Sequence, residues 1–138
     1  MFYNSEILLY IIVDFKRESN ILQRIIIIAG PSGVGKTTVS KYLTEKYNIP
    51  RVVTHTTRPM RQGEIPGKSY YFETDESFKK LHFFEHVKYG EYQYGSSKEA
   101  LEKAWAKNDL VSLIVETDGV KSYLEKLGKQ AYFIYLTV

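Results

Sequence analysis

Cysteine is missing from all 138 residues, which excludes disulfides and thiolate metal sites and is compatible with a reducing cytoplasm. Histidine is scarce. His55, His82 and His86 are the only three, and none of their spacings is the HExxH of a helical zinc site, so ordinary surface or half-buried roles are expected. No apolar run approaches the roughly 17 residues that a membrane-spanning helix needs. The segment 7–13 is apolar, but it has no basic leader or small-residue cleavage site, so no membrane role is expected. The formal charge is only +3, which favours acidic ligands but lacks the dense basic runs of nucleic-acid binders. Internal repeats and low-complexity tracts are also absent.

What is present suits one folded domain with room for a small insertion. The hydrophobic share of 43% and charged share of 25% are those of a globular chain rather than a disordered one. Tyrosine is abundant at 12 residues, and several stand among basic residues between positions 58 and 94, a mixture able to hold phosphates or nucleobases.

Residues 25–29 form an unbroken apolar run, which suits a strand covered on both faces of a parallel sheet. Gly30-Pro31-Ser32-Gly33-Val34-Gly35-Lys36-Thr37 follows and fits G-x-x-x-x-G-K-[ST]. Its glycines let the backbone turn sharply and bring N–H groups against phosphate oxygens. Val39, Leu43 and Tyr47 then recur at helical spacing, so the loop feeds a helix whose positive end faces the anion. The predicted triphosphate site is therefore Gly30, Pro31, Ser32, Gly33, Val34, Gly35, Lys36, Thr37 and Thr38, with Lys36 on the β and γ phosphates and the Thr37 hydroxyl on Mg²⁺.

Along the rest of the chain, Pro50 stops the helix and residues 51–54 read as a short second strand. Residues 54–69 are polar, with Pro59, Gly63, Pro66 and Gly67, and read as a loop. A strand at 70–72, a short helix at 75–81 capped by Thr74 or Asp75, a strand at 83–87 and a turn with a short strand at 91–94 follow. Ser97 caps a helix to about Lys107 with Trp105 expected in the core. Buried strands at 110–115 and 131–137 flank a helix at 120–127 that Gly128 ends. Glu116-Thr117-Asp118-Gly119 closes the first of these strands, where carboxylates sit beside a P-loop and a Walker B acid serves Mg²⁺.

A second constellation, Thr54-His55-Thr56-Thr57-Arg58-Pro59-Met60-Arg61-Gln62-Gly63-Glu64 with Gly67 and Tyr70-Tyr71-Phe72, resembles the S-x-T-T-R-x-x-R-x-G-E-x-x-G-x-x-Y-x-F region of the guanylate kinase family. Phe83-Phe84-Glu85 and Tyr92-Gln93-Tyr94-Gly95-Ser96 are similar to that family's F-x-E and Y-x-Y-G-[ST] segments. The resemblance implies an α/β fold, a P-loop NTPase-type parallel sheet flanked by helices with a small β-rich nucleoside-monophosphate-binding insertion. The implied division is an N-terminal extension at 1–22, the first part of the core at 23–53, a GMP-binding subdomain at 54–95 and the second part of the core at 96–138. Residues 1–22 are read as an added strand or a loosely attached segment.

The implied reaction is phosphorylation of GMP by ATP with Mg²⁺ in the cytoplasm, with Lys36, Arg58 and Arg61 catalytic. The GMP-binding set carried over is Thr54, Arg58, Arg61, Tyr70, Glu85, Tyr94, Ser96, Glu116 and Asp118. Physical chemistry agrees with that carry-over. Arginines fork onto phosphate as lysines do not, and a carboxylate such as Glu85 accepts from the paired donors of guanine, which adenine lacks.

Three departures bear on these expectations. The segment between Phe72 and Glu85 is a few residues shorter than is usual in the family, and Glu116-Thr117-Asp118 abuts Gly119 directly, so either acid can be the Walker B-like one. The sequence also stops before the family's arginine-bearing lid, which leads to the expectation of slow or absent turnover and of self-association through an open sheet edge. An active guanylate kinase or a piece of one, a guanylate-kinase-like module binding nucleotide or phosphopeptide, and a P-loop kinase with another phosphorylated acceptor are the competing readings. Lys36 and Thr37 argue against the second, and Glu85 with Thr54 against the third.

Overall fold

The protein is described here from a computed structural model covering residues 22–137. The strand or loose segment expected over residues 1–21 lies outside the described residues. In chain order the elements are β1 (Arg24–Ala29), α1 (Lys36–Tyr47), β2 (His55–Thr56), β3 (Tyr71–Phe72), α2 (Asp75–Lys79), β4 (Phe83–Tyr89), β5 (Tyr92–Ser97), α3 (Lys98–Trp105), β6 (Leu110–Val115), α4 (Val120–Leu127) and β7 (Ala131–Tyr135). Among the described residues these fall into two compact units, one of residues 22–51 with 107–137 and the other of Val52–Ala106. Among the described residues no helix is long and apolar enough to cross a membrane.

The first unit holds a parallel sheet in the order β6-β1-β7. Its centre is the isoleucine run, with Ile25, Ile26, Ile27 and Ile28 all at 0% exposure. Alternation sends Ile26 and Ile28 to one face, where they pack with Val34, Val39, Leu43, Ile49, Leu110 and Leu136. Helix α1 ends at Asn48, which takes the left-handed conformation that asparagine tolerates, and Pro50 follows.

Two expectations for this unit need correcting. Residues 51–54 do not form a strand of the parallel sheet; Arg51 alone bridges Ser112, and pairing resumes in the second unit at His55. Proline at position 50 brings no N–H to a ladder and offers only its carbonyl, which accepts from the Ser112 amide at 2.9 Å. Strand β7 ends at Tyr135 and is half-buried rather than buried, with Tyr135 itself exposed.

The second unit is built on a four-stranded sheet, β3-β2-β5-β4, in which only β2 and β3 are parallel. Helix α2 is capped by Thr74 and Ser77, each side chain accepting from the other's backbone amide at 3.0 Å, and it stops at Lys79 in a tight turn rather than reaching Leu81. Ser97 caps α3 as expected, its hydroxyl accepting from the Ala100 amide at 3.0 Å. Ala100, Leu101 and Ala104 supply the buried face of α3, and Trp105 is half-buried.

Candidate functional site

Parallel strands that end in register place their following residues together. Ala29 pairs with Val115, so Gly30 and Glu116 leave the sheet side by side. The loop then needs its glycines: φ is +78° at Gly33 and +104° at Gly35, and a Cβ on Gly30 would stand 2.5 Å from the carbonyl oxygen of Leu136. Gly35 is the N-cap of α1 and brings no side-chain cap, which leaves the first-turn amides for an anion. The Lys36 side chain is buried beneath the loop. Its ammonium donates to Gly30 O at 2.5 Å, to Pro31 O at 3.2 Å and to Glu116 Oε2 at 3.3 Å. Thr37 and Thr38 are exposed at the helix start, and Asp118 is exposed on the turn Thr117–Gly119. Of the two acids, Glu116 is the one that meets the lysine.

In the second unit, register again gathers the candidates. Thr56 pairs with Tyr94 and Glu85 with Ser96, and residues two apart share a face, so Thr56, Tyr94, Ser96 and Glu85 lie on one face of β2, β5 and β4, and Thr54 immediately precedes β2. A bulge between Phe83 and Glu85 sets this register and brings Glu85 opposite Ser96. Beside that face, the Arg58 guanidinium lies 5.2 Å over the Tyr70 ring, and the Tyr70 and Tyr94 rings meet edge-on at 6.1 Å. Arg58 is buried, and its backbone amide donates to Thr56 Oγ1 at 3.1 Å. Arg61 is exposed.

Three residues without an assigned role take part. Glu64 forks onto Arg58, with Nη1 to Oε1 at 2.9 Å and Nη2 to Oε2 at 2.7 Å. Those hydrogen bonds hold the Glu64 carboxyl down at about 2 and, with the Tyr94 hydroxyl, push the Arg58 guanidinium further up. Tyr89 packs edge-on against Tyr94, with centroids 5.7 Å apart. The fixed interval between Arg58 and Glu64 in the second motif was the available signal for the first of these.

His55 is the third. It is 3% exposed instead of half-buried, with Nε2 at 2.6 Å from Ser97 Oγ and Nδ1 at 3.6 Å from Glu73 Oε1. His82 is exposed against Glu99 at 2.8 Å, as an ordinary surface role requires. Burial pushes the His55 imidazole down, against the opposing pull of Glu73 and Glu99 and with a smaller push from Lys103. The unfolded chain therefore takes up a proton between the ordinary value of 6.5 and the lower folded one while the folded chain does not, so stability falls as pH drops below 6.5. The thermal midpoint should fall between pH 7.5 and pH 5.5, and the fall should be smaller in His55→Gln; equal falls in both would refute this.

The family model for guanylate kinase matches residues 22–138. The chain belongs to the guanylate kinase family. It is 40% identical over 117 residues to the guanylate kinase of Clostridium tetani, a match covering 81% of this chain and 55% of that protein. The guanylate kinase of Sus scrofa is 35% identical over 119 residues, covering 82% of this chain and 60% of its own length. A crystal structure of guanylate kinase from Anaplasma phagocytophilum superposes with a TM-score of 0.61 at 28% identity, over 84% of this chain and 60% of that one. The chain thus spans about half the length of the curated relatives it matches.

Proposed function

We propose that this guanylate kinase family chain binds ATP at residues 30–38 and GMP at Thr54 and on the face carrying Glu85, Tyr94 and Ser96, and transfers the γ-phosphoryl group of ATP to GMP. The observation that carries the reading is the second unit's pairing of a carboxylate, Glu85, with the Arg58, Tyr70 and Tyr94 cluster beside the same sheet face. The carboxylate suits guanine, and the cluster suits the monophosphate.

In this reaction the bond from the γ phosphorus to its bridging oxygen breaks, a GMP phosphate oxygen bonds to that phosphorus, and ADP and GDP leave. The acceptor is already an anion, so the chain's share is positioning and charge stabilisation rather than strong base catalysis. Lys36 exchanges its loop carbonyls for phosphate oxygens, and Arg58 and Arg61 hold the acceptor. Glu116 serves as the acid of the phosphate end, given its contact with Lys36, and Asp118 keeps a role toward GMP.

The donor set fits Mg²⁺. Thr37 and Glu116 offer hard oxygens of the kind Mg²⁺ takes. Bound with ATP, Mg²⁺ offsets charge on the β and γ oxygens. A cytoplasmic location is part of this reading.

The test is a coupled ADP-release assay with ATP, Mg²⁺ and GMP, run beside AMP, CMP and UMP. GMP-selective turnover supports the reading. Equal turnover with all four acceptors, or none with any, would overturn it.

A further inference from the structure

We propose that Glu64 is a positioning residue for the acceptor phosphate, acting through Arg58; this rests on the GMP reading above. A guanidinium has two edges that can fork onto an anion. Glu64 takes the end-on edge, Nη1 and Nη2, and the Pro59 carbonyl takes a further bond from Nη1 at 3.0 Å. Glu64 thereby leaves the side edge, Nε with Nη2, to the phosphate and to the Tyr94 hydroxyl, which also bonds this guanidinium. The Tyr70 ring fixes the plane of the guanidinium, and Glu64 fixes its rotation within that plane.

The same carboxylate also reaches the second arginine. Glu64 Oε1 accepts from the Arg61 backbone amide at 2.7 Å, and the Glu64 amide donates back to Arg61 O at 3.1 Å. Residues 61–64 therefore make a closed turn, with Gly63 at φ +87° in its third position, where a type II turn demands a positive φ. The turn is why an acid belongs here. It aims the Glu64 side chain back at Arg58 and ties both arginines to one carboxylate. A carboxylate placed only to neutralise Arg58 would not need the Arg61 amide, and one placed only to brace the loop would not need both terminal nitrogens of Arg58.

The competing account is that Glu64 merely holds the loop together. Binding of GMP and of guanosine separates the two, because guanosine has the base and no phosphate. Calorimetry on the full chain is made with both ligands for the unaltered protein, Glu64→Gln, Arg58→Ala and the double variant. We expect Glu64→Gln to weaken GMP about ten- to a hundredfold, the range of a charge-assisted hydrogen bond, and to change guanosine by less than about twofold. In the Arg58→Ala background the Glu64→Gln change should alter GMP binding by less than about twofold, since the fork is gone and the glutamine amide oxygen can still accept from the Arg61 amide.

Undiminished GMP binding by Glu64→Gln, equal losses of GMP and guanosine, or an undiminished Glu64 effect without Arg58 would each overturn the proposal. If the unaltered chain binds no GMP, the GMP reading falls and this inference with it, a result distinct from the other three. Should Glu64→Gln fail to fold, Glu64→Asp replaces it. Its shorter carboxylate keeps the charge but cannot span both contacts, so it should weaken GMP and spare guanosine.

Discussion

Lys36→Ala should reduce GMP-dependent ADP release by about 10²- to 10³-fold, the range for removing one preorganised donor from a developing anion. The geometry makes the lysine more than a tether. Its ammonium is already desolvated beneath the loop and is held by Gly30 O, Pro31 O and Glu116 Oε2, so bringing it to phosphate oxygens exchanges partners rather than stripping water. Alanine also leaves those two carbonyls without their donor, so part of the loss will come from a loosened loop. Lys36→Arg separates the contributions. It keeps the charge, yet its larger planar group cannot sit between two carbonyls and a carboxylate in the same way, so it should restore ATP binding better than turnover. Turnover in Lys36→Ala within about threefold of the unaltered chain would remove Lys36 from the catalytic set.

Glu116 gives that experiment a companion. The acid stands at 3.3 Å from the lysine only because β1 and β6 are parallel and end in register at Ala29 and Val115. That relation was readable in the sequence as an acid just past a buried strand. Which of Glu116 and Asp118 contacts Lys36 was not, because that depends on the turn Thr117–Gly119, which follows Glu116 directly.

Legibility elsewhere follows the range of the forces involved. The isoleucine run and the glycine-rich loop are local signals, as is the helix between Gly119 and Gly128, which forms at Val120–Leu127 as expected. The expected burial of β7 is not met, since an apolar run does not report what covers the faces of a strand. The strand expected at 51–54 failed because partner choice, not propensity, decided where this stretch paired. His55 was misjudged because a lone histidine carries no sign of the Phe83 and Tyr71 rings that enclose it. Glu64 stood inside the second motif without a role. Its chemistry appears only when a turn brings it back to Arg58.

Arg58→Ala should lower kcat/KM for GMP by about 10²- to 10³-fold, roughly what two lost charge-assisted hydrogen bonds to one phosphate amount to. The loss should fall on the monophosphate and not on the base, because Glu85 and Ser96 sit opposite each other on β4 and β5 and take their register from the sheet, not from the arginine. Guanosine affinity should therefore hold within about twofold. Arg58→Lys keeps the charge but cannot fork onto Glu64 and stack on Tyr70 together, so it should recover only a fraction of the alanine loss. Acid supplies an independent check on the same pair. The Glu64 carboxyl is held at about 2, against an ordinary value of 4.5, so its contribution to stability is complete above 4.5 and is lost only as pH falls toward 2. The unaltered chain should lose this increment progressively as pH falls from 4.5 toward about 2, and Arg58→Ala, left with only the Arg61 amide on Glu64, should have a smaller increment to lose. Identical acid-unfolding curves for the two proteins would mean that the fork seen between Arg58 and Glu64 contributes nothing in solution, and the arginine's orientation toward phosphate would then need another cause.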